Sequence, residues 1–237
     1  MGRAFEKRKH KMFANNAKAS KAFTRIGKEI AIAVKLAGPN PDANPRLRMV
    51  LQNAKSFNMP KDRVEAAIAR AANKDEKDLE EVVFEGYGPH GVAIVVEAAT
   101  DNNTRTVANI RMHFNRGNGA LGKTGSLDFL FDRKGIFKID KGPHSLDDLE
   151  LELIDFGAEE VVEEEDGIYV TTSFTDFGKM QKGLEEKGIT IASAELDRIP
   201  TSTAELSPEQ QKEVHALIER LEDDDDVQNV FHNMKED

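Results

Sequence analysis

The chain has 237 residues, 39% hydrophobic and 32% charged, with a formal net charge of −10 and no cysteine. That length fits one to three compact units, and the lack of Cys excludes a disulfide framework, Cys-ligated metal and thiol chemistry. No apolar run approaches the ~20 residues of a membrane-spanning helix, and residues 1–11 are charged without the apolar core of a signal peptide, so the expected compartment is the cytoplasm.

Residues 1–19 are polar and basic, a flexible arm or a helix that orders on binding. Phe23, Ile26, Ile30 and Val34 then recur at spacings of three and four, the stripe of an amphipathic helix. Gly38, Pro39 and Pro41 end it. Asn44 and Pro45 open a second helix as cap and first turn, with Leu47, Val50, Leu51 and Ala54 inward. Asn58-Met59-Pro60 breaks the chain. A third helix follows, burying Val64, Ala67, Ile68 and Ala71. Residues 73–80 read as a linker.

Beyond residue 80 the period shifts from 3.6 toward 2. Residues 81–86 and 92–98 read as strands around the turn Tyr87-Gly88-Pro89-His90-Gly91. A helix is expected over 104–116, capped by residues 101–103. A Gly-rich stretch leads to a strand at 126–131, and Gly135 turns the chain into another at 136–139. A helix at 145–156, strands at 159–163 and 167–172, a helix at 174–187 and a strand at 189–196 follow. From Ile136 this is β-α-β-β-α-β, a ferredoxin-like plait. Residues 81–133 give only β-β-α-β. An extended 198–201, a helix from Ser207 to Leu221 and a strand at 227–231 supply the missing β-α-β. An unattached C-terminal helix, the alternative, leaves Val214, Leu217, Ile218 and Leu221 without a sheet to cover them.

The expected fold class is therefore α+β and multidomain: an N-terminal three-helix bundle plus two ferredoxin-like α/β domains, the third inserted into the second. The expected domains are 1–77, a discontinuous 78–134 with 197–237, and an inserted 135–196.

The net charge conceals a partition. Residues 1–77 hold 18 Lys+Arg against 7 Asp+Glu, a balance of +11, and residues 78–237 hold 15 against 36, a balance of −21. A basic module on an acidic body is the pattern of a polyanion binder. Successive cations neutralise phosphates and release counterions. The candidates are Arg3, Lys7, Arg8, Lys9, Lys11 and Lys18 in the arm, and Lys21, Arg25 and Lys28 on one face of the first helix. Arg46, Arg48, Lys61 and Arg63 extend the set, although Arg46 and Arg48, as alternate helical residues, do not share a face. Aromatic residues are too few to favour base stacking.

Other constellations read more plainly. The glycine-rich 86–91 joins two strands and precedes no helix, which fits a hairpin turn and not a phosphate loop. Tyr87 and His90 at its tip, with Arg105 near a helix cap, are candidates for touching a partner. The acidic runs at 159–160, 163–166 and 223–226 lack calcium-loop spacing and read as solvated faces, or as mimics of nucleic acid toward a basic partner. Six scattered His and no nucleophile–base motif give no catalytic residue, no metal site and no cofactor.

Several motifs resemble one family. Gly38-Pro39-Asn40-Pro41, Asn44-Pro45-Arg46-Leu47-Arg48 and Asn58-Met59-Pro60-Lys61-Asp62 resemble the N-terminal domain of the YebC/PmpR family. The run Phe84-Glu85-Gly86-Tyr87-Gly88-Pro89-His90-Gly91-Val92-Ala93 is similar to its second-domain signature. So are Thr100-Asp101-Asn102 with Arg105-Thr106, and Gly119-Ala120-Leu121-Gly122 with Gly125-Ser126-Leu127. The start, Met1-Gly2-Arg3-Ala4-Phe5-Glu6, departs from the His-Ser-Lys-Trp-like opening of most members and marks a divergent branch. The resemblance implies three domains around a cleft and a role in gene expression. Members are described as transcriptional regulators that bind DNA, and mitochondrial and bacterial relatives as translational activators at the ribosome. The expected partner is DNA, or alternatively ribosomal RNA and the ribosome. Neither a membrane nor a small-molecule substrate is expected, and the protein is expected to be a monomer.

Overall fold

The architecture was analysed in a computed structural model, which describes residues 19–235 apart from 74, 76, 141, 143 and 144. Helices α1 (Ala19–Ala37), α2 (Pro45–Ser56) and α3 (Lys61–Ala72) form the first domain. Their stripes meet at Ile26, Ile30, Val34, Leu47, Val50 and Ala71. Asn44, almost fully buried, makes the corner. Its Oδ1 accepts from the Leu47 N–H at 3.0 Å, capping α2, while its Nδ2 donates to the Ala33 and Gly38 carbonyls at 2.8 Å. One side chain thus satisfies the end of α1 and the start of α2.

In the second domain β1 (Glu80–Tyr87) and β2 (Ala93–Thr100) form a hairpin, followed by α4 (Asn103–Arg116) and the short β3 (Ala120–Leu121). The chain then departs into the third domain. There β4 (Phe131–Ile139), α5 (Leu146–Ile154), β5 (Ala158–Glu164), β6 (Gly167–Ser173), α6 (Phe177–Glu186) and β7 (Ile191–Pro200) succeed one another. It returns as α7 (Pro208–Glu222) and β8 (Val227–His232). The inserted domain has strand order β5-β6-β4-β7, antiparallel throughout, the ferredoxin-like arrangement. The second sheet has order β3-β1-β2-β8, also antiparallel, but its central pair is a hairpin.

Insertion follows from burial. Helices α4 and α7 cover one face of the second sheet: Ile110 and Phe114, with Val214, Leu217 and Leu221, close over Phe84, Ile94 and Val96. Helix α7 is fixed at its start by a reciprocal cap between Ser207 and Gln210.

Three local expectations are corrected. Residues 126–130 are not a strand. The buried Glu85 carboxylate accepts the Gly125 and Leu127 N–H groups at 2.8 and 2.6 Å, which pulls the segment into a turn with Leu127 in the core. Gly135 does not turn the chain. It lies within β4, where a Cβ would meet the Phe177 ring at 2.4 Å, so the glycine makes room for an aromatic packed on the strand. Residues 198–200 are not a strand of the second sheet but the end of β7, with Arg198 opposite Arg133 and Pro200 opposite Phe131. Strands β4 and β7 accordingly run unbroken through positions 134 and 196, and helix α6 starts at Phe177, after a turn at 174–176.

A chain truncated after Pro200 loses α7 and β8. It exposes the face buried by Val214, Leu217, Ile218 and Leu221, each worth roughly 1.5–3 kcal/mol, against a net stability of about 5–15 kcal/mol. The expected outcome is loss of the second domain's amide protection in hydrogen exchange, with the 131–200 domain still protected.

Candidate nucleic-acid interface

Helix α1 presents its apolar stripe to α2 and α3, so Lys21, Arg25 and Lys28 fall on a separate face. The structure brings these three together but turns them toward the protein. Lys28 Nζ donates to the Ala99 carbonyl at 2.8 Å, the Asp225 carbonyl at 2.8 Å and Asp226 Oδ1 at 2.9 Å. Lys21 pairs with Asp223. Arg25 reaches the Glu222 carbonyl at 3.4 Å. Burial lowers the Arg25 pKa, with Glu222 and Glu29 opposing the shift. The acidic run 223–226, expected as a solvated face, is thus the docking surface for α1 over part of its length.

Asp226 is the centre of this contact. Besides Lys28, it accepts from Arg105 at 2.8 Å, Thr106 Oγ1 at 2.8 Å and Thr100 Oγ1 at 3.2 Å. Burial alone pushes its carboxyl upward, but the hydrogen bonds from Arg105, Lys28 and Thr106 outweigh it and hold the pKa down to about 2.

The remaining candidates fall elsewhere. Arg46 grips Glu81 through both guanidinium nitrogens, at 3.1 and 2.5 Å. Arg48 donates to the Pro41 and Asp42 carbonyls and lies 3.5 Å from Glu185. Lys61 is solvent-exposed beside Glu65, and Arg63 lies over the Phe23 ring at 5.6 Å. Arg3, Lys7, Arg8, Lys9, Lys11 and Lys18 lie outside the described residues.

Tyr87, His90 and Arg105 do not form one surface. The hairpin register sets Tyr87 opposite Ala93 and Glu80 opposite Thr100. Arg105 therefore sits at the other end of the strands, about 23 Å away at strand rise, tied to Asp101 and Asp226. Tyr87 is exposed, while His90 lies 2.9 Å from Glu213.

The cleft that the resemblance implies has a volume of about 760 Å³ where the three domains meet, and apart from Arg46 sequence reasoning missed the polar residues that border it: Glu29, Glu81, Glu97, Arg198 and Gln228. Arg198 Nε donates to Glu97 at 2.9 Å. The Gln228 carboxamide is buried without a hydrogen-bond partner among the described residues. Burial pushes the Glu29 carboxyl up to about 7, against the pull of Arg46 and reinforced by Glu81. The signal was a lone Glu97 in the otherwise apolar run Ala93–Ala99, since a charge inside a strand buried on both faces needs a partner. Among the described residues no group of three His, Cys, Asp or Glu could hold a metal, and no helix is long and apolar enough to cross a membrane.

A basic helical domain clamped onto a two-part α/β body, with charged contacts at the joints, defines the class of protein. Residues 3–74 match the family described as TACO1/YebC protein N-terminal domain, and residues 79–234 match TACO1/YebC second and third domain. The chain belongs to the TACO1/YebC family, the one its motifs resemble. It is 60% identical over 236 residues to a "probable transcriptional regulatory protein" of Cytophaga hutchinsonii, covering 100% of this chain and 99% of the relative. A Flavobacterium johnsoniae protein of the same description is 56% identical over 100% of both chains. The crystal structure of a conserved hypothetical protein from Aquifex aeolicus has TM-score 0.77 at 37% identity, covering 92% of this chain and 91% of that one.

Two predictions follow from these contacts. Asp226→Ala leaves Lys28 and Arg105 without their shared carboxylate and is expected to cost about 3–5 kcal/mol, as breaking a buried pair does. Lys21→Ala, at an exposed pair, is expected to cost under about 1 kcal/mol. Urea denaturation of both variants separates them. The second concerns Glu29. Its folded pKa of about 7 exceeds its ordinary 4.5, so the folded protein holds a proton that the unfolded chain has released. Stability therefore falls as pH rises from about 4.5 to 7. Glu29→Gln is expected to flatten that decline, by roughly 1–3 kcal/mol at pH 8, read from melting temperatures across pH 4–8.

Proposed function

We propose that this protein is a regulator of gene expression that binds nucleic acid through phosphate contacts made by its basic helical domain. The observation that carries the reading is the charge partition, +11 on residues 1–77 against −21 on the remainder. The names of the relatives point to the same class, regulatory proteins and not enzymes. The basic domain supplies attraction, and the acidic body repels polyanions that do not fit beside it. The reading assigns no catalytic step, cofactor or metal, and has the protein acting as a monomer in the cytoplasm.

Duplex DNA is the partner a transcriptional role calls for, and the relatives are described as probable transcriptional regulatory proteins. A second reading, structured RNA at the ribosome, rests on the disposition of the helices. Reading bases in a DNA major groove calls for a helix free to enter it. Helix α1 turns its cationic face to the acidic run. On α2, the Asn53 amide exchanges hydrogen bonds with the Ala194 backbone, at 2.7 and 3.0 Å. Helix α3 has an exposed face on which Lys61, Asp62, Glu65 and Arg70 mix their signs. Recognition by shape and phosphates needs no inserted helix.

Gel-shift titrations with random duplex DNA and with structured RNA discriminate the two readings. For about five phosphate contacts, affinity is expected to fall on the order of a hundredfold to a thousandfold between roughly 50 and 200 mM salt. The preferred pool names the partner, and co-sedimentation with ribosomes checks the RNA arm. Absence of binding to either pool in low salt would overturn the proposal.

A further inference from the structure

The face of α1 suited to phosphates already holds an anion. Residues 222–226 read Glu-Asp-Asp-Asp-Asp, five consecutive carboxylates at the end of α7. Asp223 meets Lys21, the Glu222 carbonyl meets Arg25, and the Asp225 carbonyl and Asp226 carboxylate meet Lys28. The run thus meets all three cations of this face, through the Asp223 and Asp226 carboxylates and two backbone carbonyls.

The two ends of this contact differ in strength. The side chains of Lys21 and Asp223 are 40% and 61% exposed, whereas those of Lys28 and Asp226 are 18% and 9% exposed. Salt screens the first pair and barely reaches the second. The partners are also unequal once separated. Asp226 freed of Lys28 still accepts from Arg105, Thr106 and Thr100, all within the second domain. Lys28 freed of the run loses two of its three acceptors. The acidic side keeps its own partners on opening, and the freed Lys28 ammonium is available to another anion.

We propose that the segment 222–226 is a built-in competitor for nucleic acid, occupying the Lys21, Arg25 and Lys28 face of α1, and that a phosphate backbone binds this face by displacing it. The inference rests on the nucleic-acid reading above and adds its regulation. Only the open fraction of the protein is competent to bind, so apparent affinity is reduced by that fraction. Unbound or weakly matched polyanions meet a closed face, and those that also engage other cations of the helical domain can open it.

Zero-length carbodiimide coupling of the full-length chain tests this, because it joins a lysine only to a carboxylate in contact with it. The Lys28–Asp226 and Lys21–Asp223 crosslinks are mapped by mass spectrometry while a short single-stranded RNA or a short DNA duplex is titrated in. Both yields are expected to fall severalfold as the oligonucleotide saturates, with the Lys235–Glu205 pair, 2.9 Å apart at the other end of the second domain, as the unchanging control. The double variant Glu222→Gln with Asp223→Asn is expected to bind about threefold to tenfold tighter. Oligonucleotide bound with the Lys28–Asp226 yield unchanged, or a variant of unaltered affinity, overturns the competitor and leaves the functional reading standing. Failure of every oligonucleotide to bind overturns the functional reading and the competitor with it.

Discussion

The docking of α1 on the second domain depends on one buried carboxylate. Asp226 collects Lys28 from α1, Arg105 and Thr106 from α4, and Thr100 from the end of β2. An ionised carboxylate is taken out of water only where donors replace its hydration, and here they come from three separate stretches of chain. Each stretch is positioned by something else. Thr100 is at the close of the hairpin, Arg105 and Thr106 are in the first turn of α4, and Asp226 itself arrives only because α7 and β8 return to the sheet. The return of α7 and β8 to the second sheet is therefore a precondition for docking the first domain through Asp226.

This changes what the charge partition means. A balance of +11 beside −21 describes a binding module next to a repelling body, and equally two complementary surfaces of one molecule. The structure contains the second in the contact of α1 with the acidic run. Arg46 on Glu81 and Arg48 near Glu185 follow the same logic at other joints. The cations at these joints hold domains together, whereas Lys61 remains on the outside.

Much of the fold was legible because it is written locally. The three- and four-residue stripes, the Asn44-Pro45 start, the Ser207 cap and the alternation after residue 80 each decide structure within a few residues. The failures came where a distant group overrode a local signal. Glu85 converts an apparent strand at 126–130 into a turn, and Phe177 explains Gly135 better than any turn does. The same holds for the interface. Spacing placed Lys21, Arg25 and Lys28 on one face, but the partner of Lys28 lies 197 residues away at Asp225, and no periodicity reports a contact of that separation. Glu29 stayed hidden because one acid on an amphipathic helix looks like a solvated residue until its neighbours are known.

The two attachments of the helical domain differ in kind. Toward the second domain the contacts at α1 are ionic. Toward the third domain, beside the Arg48–Glu185 pair, α2 makes neutral contacts: Asn53 donates to and accepts from the Ala194 backbone as a neighbouring strand would, and Gln52 donates to the Ile191 carbonyl. Ionic contacts at a surface weaken with salt and can be exchanged for other anions. Amide hydrogen bonds to a strand edge respond to neither, and a polyanion offers them no substitute. A phosphate chain bound as proposed would therefore act on the α1 side of the helical domain and leave the amide contacts of α2 in place.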